Sequence, residues 1–434
     1  MSLPFLVDRR EGAAAWALAR WGVLSALVGV LSGVAAALFL HALNGATSFR
    51  ELHPYLLLGL PIVGAAIGGV YQHYGKSVVT GNNLLLDRIH SPEAAAIPFR
   101  MAPLVLVATV VTHLFGGSAG REGTAIQMGG TLASLLAAPL KLSARDRRLL
   151  LMSGISGGFG AVFGTPIAGA VFGLEVLTIG RIDYEALVPC LAASVVGDVV
   201  CRGLGIRHHL YAVGVLPPSL TPVSWLLILV AGVLFGVAAT VFSRLTHGIS
   251  HAMSRRVSRP WLRPVIGGSA VVALTFLVGT RDYLGLSLPL IEKAFTPGGV
   301  VLWAFAFKIL FTAITLGTGF KGGEVTPLFC IGATLGAGFA HLTGQPTGFF
   351  AAMGFVAVFA GAANTPLACT ILGIELFGSA MAVPIAAACV VAYTVSGHHG
   401  IYLSQHLGIH KIGGTEVPNE SIPCGQQDGS GRIQ

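Results

Sequence analysis

Apolar residues along the chain gather into long runs at 13–44, 55–71, 101–115, 123–140, 149–178, 186–201, 223–247, 263–279, 301–317, 325–343, 348–378 and 381–396. A simple membrane-spanning helix needs about 20 residues. These runs are uneven: some suit half-spans, and others are long enough to be steeply tilted or broken in two. That pattern predicts a transporter whose helices end at mid-membrane. Polar stretches divide the chain into a segment 1–12, a transmembrane half 13–207, a linker 208–222 rich in Pro and His, a second half 223–410, and a polar Gly/Ser/Gln tail 411–434 expected to be disordered. The expected fold class is an all-α polytopic membrane protein with broken and tilted helices.

Composition agrees with the pattern. Of 434 residues, 54% are hydrophobic and 10% charged, against roughly 25% charged in soluble domains; mean hydropathy is +0.78. The first eleven residues already carry Asp8, Arg9 and Arg10, and the run that follows is too long for a cleavable signal, so the first helix is expected to remain. Basic clusters at Arg9-Arg10, Lys141 to Arg148 and Arg255 to Arg263 flank apolar spans and account for the net charge of +8. They are expected to face the cytoplasm of a multi-pass protein of the cell (inner) membrane. Basic residues so placed form no stripe for nucleic acid, so no nucleic-acid partner is expected. The six cysteines lack CxxC spacing and mostly lie in apolar runs, so they read as small core residues with no metal site. The 59 glycines allow close helix packing and helix ends inside the protein.

Within this background the chain repeats itself. Gly164-Thr165-Pro166-Ile167-Ala168, followed by Gly173-Leu174-Glu175, recurs as Asn364-Thr365-Pro366-Leu367-Ala368, followed by Gly373-Ile374-Glu375, at an offset of 200 residues. Glu122 in Gly-Arg-Glu-Gly-Thr and Glu324 in Gly-Gly-Glu-Val-Thr are offset by 202. Two motifs in one order at nearly one offset outweigh chance similarity and point to duplication. An odd number of spans per half would invert the repeats and set a site at their interface. Proline at each Thr-Pro step fixes a helix start. Glu175 and Glu375, at matching places, are expected to share a structural role, pairing with Arg or capping a neighbouring helix.

The stretch Gly116 to Gly130 carries the chemistry. Its glycines permit a sharp turn before a helix that begins near Gly123, so Glu122 lies where unpaired N–H groups and the positive end of a helix dipole converge. The carboxylate can itself be the anion there, or take a proton and swing away so that another anion replaces it; a plain Arg121–Glu122 pair at a helix end is the alternative. Thr80-Gly81-Asn82-Asn83 places side-chain amides at a glycine turn before a leucine run, as a donor site or an Asx turn. Tyr402 offers a phenol near the C-terminal end, as a site donor or an interface anchor.

Together these residues resemble the CLC family of chloride channels and anion/proton antiporters, nearly to Leu407. Gly120-Arg121-Glu122-Gly123 stands at the family's gating-glutamate motif, Gly323-Glu324-Val325-Thr326-Pro327 at its Gly-x-Phe-x-Pro motif, Thr165-Pro166 and Thr365-Pro366 at its Ala-Pro steps, and Tyr402 at its pore tyrosine. The resemblance implies inverted repeats, a homodimer with a pore in each subunit, and helix N-termini aimed at the ions. Asn82 replaces the pore serine, Thr124 the gating-motif proline and Val325 the pore phenylalanine, while Val176 stands where chloride/proton exchangers carry an internal proton glutamate. This set resembles the family's fluoride-exporting, fluoride/proton antiporter branch.

That resemblance assigns gating and proton transfer to Glu122, Glu324 and Thr326, and anion binding to Asn82, Arg121, Gly123, Val325 and Tyr402. Fluoride is small and strongly hydrated, so close donors such as an Asn82 amide and a phenol suit it. Burial and helix-start N–H groups act on a Glu324 proton in opposite senses; the alternative for Glu324 is a structural carboxylate held by N–H groups or by Lys321. Thr326 is expected to bridge Glu324 to the pore. A proton-coupled fluoride exporter is the favoured reading. A chloride channel or chloride/proton exchanger comes second, and a membrane-embedded enzyme is distant, since no nucleophile-base pair, phosphate loop or His-rich ligand spacing occurs and no cofactor is implied.

Overall fold

The computed structural model describes residues 5–209, 211–214 and 221–413, with the side chains of 5–15 and Ala17 left aside. Its architecture is a bundle of sixteen described α-helices. The first half holds α1 (Phe5–Leu52), α2 (Leu60–Tyr74), α3 (Asn82–His90), α4 (Met101–Leu114), α5 (Glu122–Ala137), α6 (Ala144–Phe163), α7 (Pro166–Glu175) and α8 (Leu187–Gly203). The second holds α9 (Pro222–Arg256), α10 (Leu262–Val278), α11 (Leu288–Ala294), α12 (Ala304–Gly317), α13 (Val325–Thr343), α14 (Thr347–Ala363), α15 (Pro366–Phe377) and α16 (Ala382–Val395). Five described helices are long and apolar enough to cross a membrane. Among the others, α7 with 10 residues and α15 with 12 are too short to cross alone, as the uneven runs predict of half-spans. The run 149–178 breaks at Thr165-Pro166 into α6 and α7, and 348–378 breaks at Thr365-Pro366 into α14 and α15. Each break follows a residue in the left-handed conformation, Gly164 (φ 74°) or Asn364 (φ 59°), and the proline then opens the next helix.

The duplication is visible in the packing. Helices α1 and α8, α5 and α6, and α6 and α8 pack together in the first half, as α9 and α16, α13 and α14, and α14 and α16 do in the second. At the α5–α6 crossing a Cβ added to Gly129 would lie 2.2 Å from the Gly154 carbonyl oxygen; at the α13–α14 crossing one on Gly332 would lie 1.9 Å from that of Gly354. Only glycine permits either approach, and the two crossings are repeat-mates.

The halves are inverted relative to one another. The Glu175 carboxylate at the end of α7 accepts from Leu367 N (3.0 Å) and Ala368 N (2.8 Å) at the start of α15. In return Glu375 of α15 accepts from Ile167 N (3.0 Å) and Ala168 N (2.8 Å) at the start of α7. Each helix ends where the other begins, so the two are antiparallel, and the glutamates cap a neighbouring helix as expected instead of pairing with arginine.

Between the halves, α8 ends at Gly203 and α9 is capped by Thr221; residues 210 and 215–220 of the expected linker lie outside the described residues, as do 414–434 of the expected tail, Cys424 among them. The expected tail's first three residues, 411–413, are described. Lys411 is tied into the bundle, its Nζ donating to Asn364 Oδ1 (2.6 Å), Tyr393 O (2.7 Å), Ser396 Oγ (3.2 Å) and Gly397 O. Just before it, His406–Leu407 (β2) pairs in parallel with Thr178–Ile179 (β1). The five described cysteines are free and buried.

Candidate ion-translocation site

The loop that delivers Glu122 is held at every residue. Gly117 N donates to Thr112 O (2.8 Å), Ser118 N to Thr315 Oγ1 (3.1 Å), and His113 Nε2 lies 2.9 Å from Ala119 O. Gly120 then forms a two-way antiparallel bridge with its repeat-mate Gly323, N to O at 2.6 and 2.8 Å. A methyl group at Gly120 would sit 2.7 Å from Glu122 Oε2 and 2.9 Å from Gly323 O. Beneath the loop, the fully buried Lys308 donates to Ser118 Oγ (2.9 Å), Ser287 Oγ (2.8 Å), Gly285 O (2.9 Å) and Tyr283 O (3.2 Å). Four oxygens replace the hydration shell of a buried ammonium, so its charge stays in the protein at a tolerable cost.

Glu122 is itself fully buried. Its carboxylate does not stay on its own helix. It accepts from the hydroxyl of Thr326, from Thr326 N (3.1 Å) and from Arg121 N (3.1 Å), while the Arg121 guanidinium lies 3.8 Å away. Thr326 N is in the first turn of α13, so Glu122 occupies the anion position at the other repeat's helix start. The Arg121 pair is thus the longest of these contacts, and Glu122 is held chiefly by Thr326. Thr326 accordingly joins Glu122 and not Glu324, a correction to the expected bridge: α13 turns the hydroxyl toward the partner repeat.

Glu324 is placed differently. It precedes α13, its Oε2 is buried without a hydrogen-bond partner, and Lys321 does not bond to it, donating instead to Val79 O (3.2 Å) above the Tyr71 ring. Glu324 lines a cavity of about 140 Å³ together with Asn82, Gln127, Lys321 and Tyr402. A smaller hollow of about 10 Å³, large enough for roughly one water-sized particle, lies against Asn82, Ile126, Phe172, Val176 and Tyr402. Tyr402 Oη and Asn82 Oδ1 are both buried without a protein partner, so the phenol O–H is left to donate to a guest in this space.

The Glu122-Gly123 step joins this region to a second one. On the Asn82 side, a Cβ on Gly123 would fall 3.0 Å from Asn82 Nδ2 and 3.8 Å from Glu324 Oε2, so the bare glycine keeps the amide and the carboxylate in one space. On the other side Arg121 and Thr326 line a hollow of about 20 Å³ with His209 and Tyr211. His209 also belongs to the wall of a wide depression of about 560 Å³ that carries Arg50, Arg281 and Asp282. Of the expected site residues, Glu122, Thr326, Arg121, Gly123, Asn82, Glu324 and Tyr402 therefore come together. Val325 is fully buried and lines none of these spaces; any contribution to an anion is through its backbone at the start of α13.

Two residues that reading the sequence missed, Gln127 and Gln405, complete the site, and Asn83 of the predicted glycine turn gains a partner there. Gln127, one turn beyond Glu122, faces Gly81, where a Cβ would meet its Nε2 at 3.1 Å. Asn83 Oδ1 accepts from Ser404 N (3.1 Å), tying the start of α3 to the segment that carries Tyr402. Gln405 Nε2 donates to Val176 O (2.9 Å) and Ala363 O (2.8 Å), fastening that segment to both repeats. Lys308, a lone cation in the run 301–317, and Asp198, the lone carboxylate in the run 186–201, are buried charges that a sequence signal could have found.

The chain resembles known proteins over most of its length. Residues 63–397 match the family described as voltage gated chloride channel. A protein of Pseudomonas syringae pv. tomato named chloride/fluoride channel protein is 48% identical over 401 residues, covering 91% of this chain and 88% of its own length. A solved structure described as a CLC-type fluoride/proton antiporter superposes with a TM-score of 0.86 at 38% identity, over 90% of this chain and 98% of the other. A slow cyanobacterial chloride/proton antiporter, at 22% identity and a TM-score of 0.75 over 88% of this chain and 96% of the other, shares the fold.

Proposed function

The chain belongs to the voltage gated chloride channel (CLC) family, whose members move anions and protons and are not enzymes, and from that premise we propose that it is a fluoride/proton antiporter exporting fluoride across the cell (inner) membrane at the expense of the proton gradient. One observation carries the reading: Asn82 and Tyr402 both line a water-sized hollow, and the Asn82 amide also lies beside Gly123, the residue after Glu122. Fluoride is close to water in size and demands strong donors, whereas a larger halide would have to spread the walls. Likeness to a fluoride/proton antiporter across nearly the whole chain supports it.

In this mechanism Glu122 exchanges its place at the start of α13 for the anion. Protonation breaks its hold on Thr326 N, the neutral side chain swings out, and fluoride takes the freed N–H groups. Glu324 receives and returns protons on the Asn82 side, replacing the glutamate that Val176 lacks. Arg121 and the backbone at Gly123 and Val325 add positive potential, and each subunit of a homodimer carries a complete path. Chloride is the second substrate reading, favoured by the chloride/fluoride name of the Pseudomonas relative.

The test is flux from vesicles loaded with fluoride or chloride, with internal pH recorded. Fluoride efflux should drive proton uptake and exceed chloride efflux at least about tenfold, a difference of about 1.4 kcal/mol. Equal rates for the two ions would favour chloride exchange.

A further inference from the structure

Away from the ion path, one space is furnished for a charged guest. A cavity of about 140 Å³ lies between α3, the 92–97 segment, α5 and the start of α6. Ala95, Ala138 and Leu151 give it apolar walls, and Arg88 and Arg147 line it with no carboxylate among them. The Nε of each arginine is buried and has no hydrogen-bond partner. Their neighbours differ in this respect. Arg145 pairs with Glu185, Arg148 with Asp183 at 2.5 Å, and Arg20 with Asp146 at 2.7 Å. Both arginines are partly exposed, but an N–H donor buried without a partner is costly, and an anion in the cavity that both side chains line would satisfy the two together.

The remaining polar group in the wall points to the same kind of ligand. Ser134 Oγ already accepts from Ile97 N (3.1 Å), so its hydroxyl proton is left to donate. Two forked cations and one O–H donor match the several oxygens of a phosphate group, and the alanine walls match an acyl or glycerol neighbour. From this we infer that Arg88, Arg147 and Ser134 form a binding site for a phosphate group, carried either by an anionic phospholipid or by a free phosphate. The site is independent of the transported ion. Its consequence reaches the transport path nevertheless, because Arg88 is on the short helix that begins at Asn82 and Arg147 is on α6. A bound phosphate cross-links the two and steadies Asn82.

Two binding measurements on the full-length purified protein test this. Native mass spectrometry reads retention of phosphatidylglycerol from phosphatidylcholine/phosphatidylglycerol vesicles, and thermal unfolding reads protection by inorganic phosphate. Both are run on the wild type, on the Arg88→Gln/Arg147→Gln variant, and on an Ala95→Leu/Ala138→Leu variant that fills the cavity and leaves its charges. Phosphatidylglycerol retained by the wild type and lost at least tenfold in both variants assigns the site to a lipid headgroup. Protection by inorganic phosphate that disappears in both variants, with no preference for phosphatidylglycerol, assigns it to a free phosphate. If neither ligand separates the wild type from the variants, the site does not exist. Should the arginine variant fail to fold, the cavity-filled variant decides alone.

Discussion

Two pairs of glutamates are related by the same internal duplication, and they have met opposite fates. Glu175 and Glu375 keep the symmetry: each caps the other repeat's helix through two backbone N–H groups, at distances that match to 0.1 Å or better (3.0 and 2.8 Å in both). Glu122 and Glu324 break it. Glu122 crosses to the other repeat and is saturated there, whereas Glu324 Oε2 is left without a partner beside Asn82. The symmetric pair has one low-energy arrangement and behaves as scaffold. In the proposed mechanism the broken pair offers a proton two unequal positions, which the symmetric pair does not.

Six substitutions, in four sets, sharpen or break this contrast. The largest effect belongs to Glu122→Gln, which keeps the shape but removes the proton: coupled proton flux in vesicles should fall by at least about 100-fold, and uphill proton movement driven by an anion gradient in that variant would remove Glu122 from the proton path. Next is Glu324. Both Glu324→Gln and Glu324→Ala should slow exchange by at least about tenfold if the residue carries protons, whereas failure of the Ala variant alone would make it a scaffold for the anion site, and wild-type rates in both would put it off the path. Asn82→Ser should shift the fluoride-to-chloride flux ratio toward chloride by about tenfold, the value of one hydrogen bond to a charged group; an unchanged ratio would return the turn to a purely local role. Smallest in function are Glu175→Gln and Glu375→Gln. Each should cost about 1–2 kcal/mol of stability as a lost helix cap, read as a lowered unfolding temperature with the ion ratio unaltered, and unequal costs would show that the scaffold symmetry is only geometric.

Much of the fold was legible because membrane burial writes itself into composition and because Thr-Pro steps stop and restart helices. The break between α14 and α15 could be read from Thr365-Pro366 alone, and the offset of the two glutamate motifs identified the repeats. The partners were harder. Thr326 lies 204 residues from Glu122, and nothing local tells whether its hydroxyl turns toward Glu324, two residues away, or toward the other half. Gln127 and Asn83 look like ordinary polar punctuation until the glycine at 81 and the backbone at Ser404 are brought against them. Lys321 was the natural partner for Glu324 by spacing, yet the carbonyl of Val79 and the face of Tyr71 hold it elsewhere.

The bond from Ser404 N to Asn83 Oδ1 ties two distant stretches of chain into one stiff frame. Asn82 is on one side of that frame and Tyr402 on the other, so the width of the hollow they line depends on this 3.1 Å bond together with the Gln405 bonds to Val176 and Ala363. A pliant frame would shrink around a small ion and swell around a large one, and its affinity would vary little with radius. A stiff one turns radius into work: every tenth of an ångström beyond the fitted ion is resisted by the link, by Gln405 and by the helices on either side. Selectivity of this kind resides in the elasticity of the wall as much as in the donors that line it.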